Sequence, residues 1–435
     1  MAFDLAELKT QYEAIKQSGL EKIALSYADI SALINQLPAP FTVEQVGESY
    51  QGRPLNKILI GQGPTRIFLW SQMHGNEPTA TAALFDLFNY IQSNNDWYAT
   101  WKDKITIQIL PMVNPDGAEL HQRYNAQSID INRDARALQT PEGQTLNRLA
   151  DEFEPHYGFN LHDQSRYYTV AGSNKPTTIS LLAPAFNEPK EIDEPRLVAM
   201  RLGSLFNTLL QLEIPGCVGR YDDTYSYRSF GDNFAAKGIA TLLIESGFSY
   251  DDPTRQTARW LNFMMLVNGI NAIASDAIHS VSTEHYDNIP MNHANGLVDL
   301  KLINVNVNNE FDADLSINAD PFFLSPRIED VGDVSNQTGI AEKDLSGLTL
   351  LPLKGYPIDI TLELTDQLYR QLLSDGYSYF IGDEEQLNNL SDIPVVVYSN
   401  ELAFSTPQRE GRVHMIFANV SEPVSALIDG LWINL

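Results

Sequence analysis

The sequence predicts an α/β protein whose central sheet is mostly parallel, followed by a smaller β-rich C-terminal domain. Three observations predict this architecture. Apolar runs of strand length alternate with amphipathic stretches of helix length over the first 280 residues or so, which is the pattern of strand-helix-strand units. Beyond Pro290, short β-like runs punctuated by Pro, Asp and Asn replace that alternation. The chain has 435 residues, enough for two such domains.

The predicted elements of the first domain follow from hydrophobic spacing. Residues 4–37 indicate two amphipathic helices, because Leu5, Leu8, Tyr12 and Ile15 recur at helical spacing. The later elements are expected as strands at 41–47, 55–60, 66–71, 105–110, 158–162 and 239–245, and as helices at 78–93, 142–154, 192–212 and 254–274. The sequence thus divides into an N-terminal helical segment at 1–40 and a larger α/β domain at 41–278.

The second domain is expected at residues 290–435 and is predicted from short runs rich in β-branched and aromatic residues. Its predicted strands are Leu297–Val307, Ile358–Leu364, Val395–Tyr398 and Val413–Ala418. One helix is expected, at about 366–374. The pattern indicates an accessory domain and does not specify its role.

Composition excludes several classes of protein. A formal net charge of -27 argues against nucleic acid or an anionic membrane surface as a partner. Cys217 is the single cysteine, so an intrachain disulfide and a Cys-rich metal site are excluded. The N-terminus lacks an apolar signal region and no stretch is long enough to span a membrane, so we expect a cytoplasmic protein. Its oligomeric state is not specified by the sequence.

A metal site is predicted where the strand at 66–71 ends. Residues 71–77 read Ser-Gln-Met-His-Gly-Asn-Glu, which presents the imidazole of His74 and the carboxylate of Glu77 from one turn. Two histidines and a glutamate are the protein ligands of many catalytic zinc sites, with a fourth position left for water. His162 is the best candidate for the third ligand, because it ends an apolar extended run, whereas His156 lies in a turn and His121 in a polar segment.

Glu245 is the candidate general base. It closes the hydrophobic run Thr-Leu-Leu-Ile-Glu, and a carboxylate there is costly unless it has a partner or a task. Taking a proton from metal-bound water is such a task. A structural ion pair with an arginine is the alternative reading. His74, Asn114, His162 and Glu245 all lie at or just past predicted strand ends, where active sites of parallel sheets form.

The segment at 128–134 reads Ser-Ile-Asp-Ile-Asn-Arg-Asp and offers donors for an anion. The guanidinium of Arg133 matches a carboxylate bidentately, and Asn132 adds another donor. Asp130 is placed to hold the second ring nitrogen of His74. Arg123 follows the turn Asn-Pro-Asp-Gly at 114–117 and could stabilise the oxyanion of a tetrahedral intermediate.

Together these residues resemble the zinc carboxypeptidases of the carboxypeptidase A type, peptidase family M14. His-Gly-Asn-Glu, Asn-Pro-Asp-Gly with a following Arg, Asp-x-Asn-Arg, a strand-end His and a strand-end Glu occur here in that family's order, over roughly residues 45–270. The resemblance implies a three-layer α/β/α domain with a mixed, mostly parallel sheet. It also implies one Zn²⁺ per chain.

The resemblance further implies the role of each residue. Zinc would be bound by His74, Glu77 and His162, with Glu245 as general base and Arg123 polarising the scissile carbonyl. Asn132 and Arg133 would hold the terminal carboxylate of a peptide or peptide-like substrate. Family members also carry a mobile tyrosine before the catalytic glutamate. Spacing back from Gly231 favours Tyr225 for that role, with Tyr221 and Tyr227 left open.

Departures from the family pattern keep other functions open. Only 28 residues separate Arg133 from His162, and Asp-Gln follows His162 where digestive members have Ser-Tyr. The predicted function is a zinc metallocarboxypeptidase that hydrolyses an amide next to a free carboxylate. The first alternative is a zinc-dependent N-acyl amino acid deacylase of the succinylglutamate desuccinylase and aspartoacylase type, and the second is a non-catalytic binding protein.

Overall fold

The computed structural model describes residues 5–319 and 325–435, whose contacts form two compact units that divide between Ala294 and Asn295. This division lies close to the start at residue 290 expected for the second domain. The first unit contains every candidate site residue named above. Among the described helices, none is both long and apolar enough to cross a membrane.

The first unit alternates strands and helices along most of its length. Its strands are β1 (Thr42–Glu48), β2 (Pro54–Gly61), β3 (Thr65–Ser71), β4 (Ile105–Leu110), β5 (Tyr157–Asp163), β6 (Thr169–Val170), β7 (Ile179–Leu182), β8 (Val218–Arg220), β9 (Ala240–Ser246) and β10 (Asn292–His293). Its helices are α1 (Leu5–Ile15), α2 (Tyr27–Asn35), α3 (Thr79–Ser93), α4 (Asn95–Trp101), α5 (Pro115–Glu119), α6 (Pro141–Phe153), α7 (Glu194–Glu213), α8 (Phe230–Ala236), α9 (Gln256–Ala274) and α10 (Glu284–Asp287).

The central sheet has the order β1-β2-β4-β3-β5-β9-β7-β8 within the described residues. Strands β4, β3, β5 and β9 run parallel to one another, as β7 does to β8, while the β1/β2, β2/β4 and β9/β7 pairs are antiparallel. The predicted mixed, mostly parallel sheet is confirmed. Strands β7 and β8 lie outside the elements expected from the sequence.

Helices cover both faces of this sheet, because successive residues of each strand point to opposite sides. In β3, Ile67 and Leu69 pack into one core with α3, α7 and α9. Phe68 and Trp70 pack into a second core with α6 and α8. The three-layer α/β/α arrangement expected from the family resemblance is therefore confirmed.

The N-terminal helices belong to the same packed unit as the sheet. Tyr12 of α1 donates a hydrogen bond to the buried carboxylate of Asp86 at 2.9 Å. The same carboxylate accepts from Nε and Nη2 of Arg259 on α9, at 2.8 and 2.6 Å. Because Asp86 lies on α3, this buried pair fixes α1, α3 and α9 relative to one another.

The second unit is rich in short strands. They are β11 (Leu297–Val307), β12 (Phe311–Ala319), β13 (Pro326–Gly332), β14 (Thr338–Asp344), β15 (Thr349–Leu350), β16 (Gly355–Pro357), β17 (Leu362–Leu364), β18 (Tyr379–Ile381), β19 (Leu387–Asn389), β20 (Val397–Tyr398), β21 (His414–Asn419), β22 (Glu422–Ile428) and β23 (Leu431–Asn434). The helix expected at 366–374 is present as α11 (Asp366–Ser374).

The main sheet of this unit has the order β13-β12-β11-β15-β21-β22-β23. Strand β14 lies outside this order and pairs in parallel with β11. The expected strands at 297–307 and 413–418 match β11 and β21 closely. The expected strand at 358–364 is shorter than predicted, since only Leu362–Leu364 pairs with a neighbour. The β-rich C-terminal region predicted from the sequence is confirmed.

His414 makes the stability of the second unit depend on pH. Burial, with a smaller effect of Arg412, lowers the pKa of this histidine to about 4. The unfolded chain therefore binds a proton that the folded unit does not, so stability is full above about pH 6.5 and falls as the pH drops toward 4. We expect the second unit of the wild type to lose about 3 kcal/mol across that window. Urea unfolding at pH 7 and pH 5, compared with His414→Gln, measures the difference, and equal pH dependence in both proteins would contradict it.

Candidate functional site

The carboxyl ends of three neighbouring parallel strands form the candidate site. His74 follows β3, His162 lies near the end of β5, and Glu245 lies near the end of β9. His162 and Glu245 are direct partners in the β5/β9 register, so their side chains share one face of the sheet. Positions far apart in the chain thus meet at a single edge, where α/β proteins form their active sites.

The structure brings His74, Glu77 and His162 into one buried group. One ligand atom from each lies within 4.8 Å of the others. Nδ1 of His74 lies 2.7 Å from Oε1 of Glu77, and Nδ1 of His162 lies 2.7 Å from Oε2 of the same carboxylate. The backbone N–H of Asp163 also donates to Oε2, at 3.2 Å. Glu77 is therefore held between the two imidazoles, each of which turns Nδ1 toward it.

The turn that carries His74 and Glu77 is held by backbone contacts. Gln72, with a positive φ of 50°, is fully buried, and its side-chain amide donates to the carbonyl of Gly75 at 2.9 Å. A Cβ at Gly75 would lie 2.0 Å from the carbonyl carbon of Gly117, in the turn after β4. Only glycine permits this close approach, which packs the His74 turn against the Asn-Pro-Asp-Gly turn.

Asp130 joins the imidazole of His74 to the guanidinium of Arg123. Its Oδ1 lies 3.2 Å from Nε2 of His74, and its Oδ2 accepts from Nε of Arg123 at 3.0 Å. Nη1 of Arg123 lies 3.5 Å from Oε1 of Glu77, and about a third of the arginine side chain is exposed. A carboxylate behind a metal-binding imidazole orients the ring and raises its basicity. Arg123 keeps an open side toward a ligand.

The charges of this group shift the pKa values of its members. Burial disfavours the charged imidazole of His74, but the carboxylates of Glu77 and Asp130 outweigh it and raise the pKa of that histidine. Burial lowers the pKa of His162. Burial also opposes ionisation of Glu77, yet the two histidines hold its pKa below the usual range. Glu77 is thus a carboxylate at neutral pH.

Glu245 lies close enough to the carboxylates of Glu77 and Asp163 for their charges to affect its pKa. Burial first, and then the carboxylates of Glu77 and Asp163, raise its pKa well above the usual value. Its Oε2 is buried and has no hydrogen-bond partner among the described residues. Leu243 and Glu245 stay partly exposed although their strand runs through the middle of the sheet, so a recess open to solvent reaches this face. An uncompensated carboxyl group in such a recess is a candidate proton acceptor.

Asp163 is a site residue that was noted in the sequence only as a departure from the family pattern. Its Oδ2 accepts from Oγ1 of Thr79 at 2.7 Å and lies 3.6 Å from Nη1 of Arg255. Burial raises the pKa of Asp163 to about 6. Arg255 also donates to the carbonyls of Ser246 and Gln164, at 2.7 and 3.0 Å. No local pattern in the sequence signalled Thr79 or Arg255.

Asn132 and Arg133 lie in a short 3₁₀ turn at Ile131–Arg133, close in sequence to Asp130. The backbone N–H of Phe230 donates to Oδ1 of Asn132 at 3.0 Å, which leaves the amide nitrogen to act as donor. Arg133 is exposed, and its Nη1 donates to the carbonyl of Asn132 at 2.8 Å. Within the described residues, no hydrogen bond or ion pair joins Arg133 to the His74, Glu77 and His162 group.

The three candidate tyrosines occupy different surroundings. Nη2 of Arg136 donates to Oη of Tyr225 at 3.4 Å. Tyr227 is 60% exposed. The ring of Tyr221 packs against that of Tyr168 in a tilted arrangement, with 5.6 Å between the ring centroids, and the pKa of Tyr221 is raised by burial first and then by the negative charge of Glu245. Of the three candidates, Tyr221 is therefore the one whose phenol pKa is raised by the charge of Glu245.

The residues present fit a zinc ion. Two imidazoles and one carboxylate within 4.8 Å form the donor set of an open catalytic zinc site. Asp130, Asp163 and Glu245 add carboxyl groups around this set, and the orphaned Oε2 of Glu245 has no protein cation as its partner among the described residues. A divalent cation is the natural counterion for such a group.

A comparison with protein families identifies part of this chain. Residues 26–188 match the family described as zinc carboxypeptidase, Peptidase_M14. This match confirms the family resemblance predicted from the sequence. It contains the turn after β3, the Asn-Pro-Asp-Gly turn, the 3₁₀ turn and β5, and it ends before β9.

Individual relatives match over shorter stretches. Carboxypeptidase 2 of Trichophyton rubrum is 34% identical over 98 residues, 22% of this chain and 18% of the relative. Carboxypeptidase SOL1 of Arabidopsis thaliana is 35% identical over 111 residues, 23% of each chain. Across the curated relatives matched first, the match covers between 18% and 34% of the relative's length.

Solved structures are also similar. Carboxypeptidase A from Helicoverpa armigera is 15% identical, with a TM-score of 0.47 over 64% of this chain and 81% of its own. A metallo-carboxypeptidase from Pseudomonas aeruginosa is 19% identical, with a TM-score of 0.45 over 59% of this chain and 71% of its own.

Proposed function

Residues 26–188 of this chain match the zinc carboxypeptidase family, and from that premise we propose that the protein is a zinc-dependent metallocarboxypeptidase. It would hydrolyse a peptide or peptide-like amide next to a free carboxylate. The comparisons do not favour the N-acyl amino acid deacylase alternative, since the named relatives are carboxypeptidases.

The observation that carries this proposal is the convergence of four side chains from three strand ends. His74, Glu77 and His162 form one group within 4.8 Å, and Glu245 lies directly opposite His162 on the neighbouring strand. The donor set and the free carboxyl group are the two parts that metal-assisted amide hydrolysis requires. We propose one Zn²⁺ per chain at this group.

When bound, Zn²⁺ would polarise the scissile carbonyl and lower the pKa of a water molecule to about 7. Glu245 would accept the proton of the attacking water through its unpartnered oxygen and then donate it to the leaving amine nitrogen. Arg123 would stabilise the negative charge that develops on the carbonyl oxygen. Asp130 would hold both Arg123 and His74 in place during these steps.

Substrate binding is assigned to residues at the 3₁₀ turn. We propose that the guanidinium of Arg133 and the amide nitrogen of Asn132 bind the terminal carboxylate. Tyr225 is proposed as the mobile tyrosine because of its spacing in the sequence. Tyr221 is a second candidate, because the negative charge of Glu245 raises the pKa of its phenol.

Peptides with a free and an amidated C-terminus test this function. We expect hydrolysis of the free peptide by the zinc-loaded chain, loss of hydrolysis with chelator, and recovery on adding Zn²⁺. Arg133→Met should lower kcat/KM for the free peptide by about ten- to a hundredfold, because a charge-assisted hydrogen bond contributes roughly 1.5–3 kcal/mol. The control is Arg148→Met on the exposed face of α6, which should leave kcat/KM unchanged. Equal turnover of the amidated peptide would contradict exopeptidase action.

A further inference from the structure

The second unit contains a cavity of about 230 Å³ that belongs to no part of the site described above. Its walls come from β13, β20, β21 and the irregular segment 402–412 that joins β20 to β21. Sites for drug-sized ligands usually measure roughly 300–1,000 Å³. This cavity therefore suits a smaller ligand, of about the size of one amino-acid residue.

Segment 402–412 is fixed to the sheet although it has little regular structure. The backbone N–H of Leu353 donates to the carbonyl of Ser405 at 2.7 Å, and that of Ile328 donates to the carbonyl of Gly411 at 3.0 Å. These bonds hold the wall of the cavity in place without a ligand. A preformed wall lowers the entropic cost of binding.

The lining of the cavity is mostly apolar. Ile328, Leu402, Phe404, Tyr398 and Met415 supply aliphatic, aromatic and thioether surface. Phe404 is 61% exposed, so its ring lies at the solvent side of the wall rather than in the core. An apolar ligand group would cover surface that is now in contact with water, which favours binding by about 25 cal/mol per Å².

Positive charge is concentrated at this cavity within an acidic unit. The chain from residue 295 to 435 has seven Lys and Arg residues against 22 Asp and Glu residues, and Arg327 and Arg412 both line the cavity. His414, also in the lining, is neutral at pH 7 because burial lowers its pKa to about 4. The positive charge in the lining at pH 7 therefore comes from Arg327 and Arg412.

Arg412 is incompletely paired. Its Nη2 donates to the carbonyl of Val395 at 3.2 Å and lies 3.5 Å from Oδ2 of Asp429. Its Nε is buried and has no hydrogen-bond partner in the part of the chain that the structure describes. A buried donor without a partner is costly, and the planar guanidinium presents parallel donors that match a carboxylate.

We propose that this cavity binds a small carboxylate with an apolar or aromatic body, Arg412 pairing with the carboxylate and the wall at Phe404 and Met415 covering the body. Two sources share this chemistry. One is a free monocarboxylic acid, and the other is the C-terminal residue of a peptide. The site is independent of the zinc centre and of the proposed peptidase activity.

The test uses the full chain with its metal and methyl-labelled methionines. The NMR signal of Met415, assigned by Met415→Leu, reports on this cavity because Met415 is one of its lining residues. We expect 3-phenylpropionate to shift the Met415 signal saturably below about 10 mM, since a Kd near 1 mM needs only about 4 kcal/mol. The uncharged 3-phenylpropanamide should shift it at least tenfold more weakly.

Variants assign the interaction to named side chains. Arg412→Met should weaken the binding of 3-phenylpropionate at least tenfold. Because that change leaves Asp429 without its arginine, Phe404→Ala provides a second measurement at an exposed position, and we expect severalfold weaker binding. No saturable shift at Met415, equal binding of acid and amide, or unchanged binding in both variants would overturn the proposal.

Binding of peptides distinguishes the two sources of the carboxylate, a free monocarboxylic acid and the C-terminal residue of a peptide. In a Glu245→Gln background, in which any hydrolysis should be slowed by about a hundred- to ten-thousandfold, an N-acetylated dipeptide ending in Phe is compared with its C-terminal amide and with 3-phenylpropionate. Binding of the free dipeptide at Met415 assigns a chain terminus to the cavity. Binding of the free acid alone assigns a small monocarboxylic acid, and binding of neither overturns the proposal.

Discussion

Replacement of Glu245 by Gln is expected to lower kcat for peptide hydrolysis by about a hundred- to ten-thousandfold, the range over which a general acid-base group contributes. The amide has nearly the same shape but cannot take a proton from water. Because Oε2 of Glu245 has no partner within the described residues, the change breaks no hydrogen bond at that atom. The measurement is kcat at saturating substrate, with zinc content determined on the same sample.

A matched control separates chemistry from folding. Glu152→Gln removes an exposed carboxylate of α6 and should leave kcat, zinc content and the melting temperature as in the wild type. If Glu245→Gln lost zinc or melted at a clearly lower temperature, the loss of activity would not report on proton transfer. Wild-type kcat in a folded, zinc-loaded Glu245→Gln protein would remove Glu245 from the mechanism.

Replacement of His162 by Ala is expected to abolish tight zinc binding and activity together. It removes one of three ligand groups and leaves Glu77 with a single imidazole partner. A ligand present at a thousand times its Kd stabilises a protein by about 4 kcal/mol, so Zn²⁺ should raise the melting temperature of the wild type. This rise should be absent in His162→Ala. Zinc per chain and the melting temperature with and without Zn²⁺ measure the effect.

His121→Gln is the control for that change. His121 is exposed and was a weaker candidate for the third ligand in the sequence. This variant should bind zinc as the wild type does. Full zinc occupancy in His162→Ala would show that the metal is held elsewhere, and the assignment of His74, Glu77 and His162 would then be wrong.

The fold of the first unit was predictable where strand and helix patterns are strong. The run Ile67–Trp70 is buried from both sides, so its apolar length alone marks it as a strand of a parallel sheet. Strands β7 and β8 were missed because they have only four and three residues. Their extended form depends on pairing with strands distant in sequence, which local pattern does not encode.

In the second unit, strand β12 was missed although its sequence, Phe-Asp-Ala-Asp-Leu-Ser-Ile-Asn-Ala, alternates apolar and polar residues as a half-buried strand does. Its Asp and Asn residues are disfavoured in strands and common in turns, which made the run resemble a loop. It is held by β11 on one side and β13 on the other. The helix at 366–374 was predictable because its apolar residues recur at helical spacing and Thr365 caps its N-terminus.

The candidate site was predictable in its ligands and less so in its surroundings. Each metal-binding candidate follows or ends a run that the sequence predicts as a strand. Because the carboxyl ends of parallel strands lie at one edge of a sheet, the three candidates could be expected to meet there. The contacts of Asp163 with Thr79 and Arg255 join residues 84 and 92 positions apart, and nothing local records such pairing. The surroundings of Tyr221 and Tyr225 also depend on tertiary contacts that spacing does not reveal.

The close approach of Gly75 and Gly117 limits how this cleft could be redesigned. A Cβ at Gly75 would lie only 2.0 Å from the carbonyl carbon of Gly117, and a Cβ at Gly117 would lie 2.5 Å from the carbonyl oxygen of Tyr124, so neither glycine tolerates a side chain unless neighbouring backbone shifts. A loop grafted from another enzyme into one of these turns would have to bring its companion with it. Changes of loop length are better placed between β5 and β7, where residues 171–175 are exposed and can vary without displacing the candidate metal ligands.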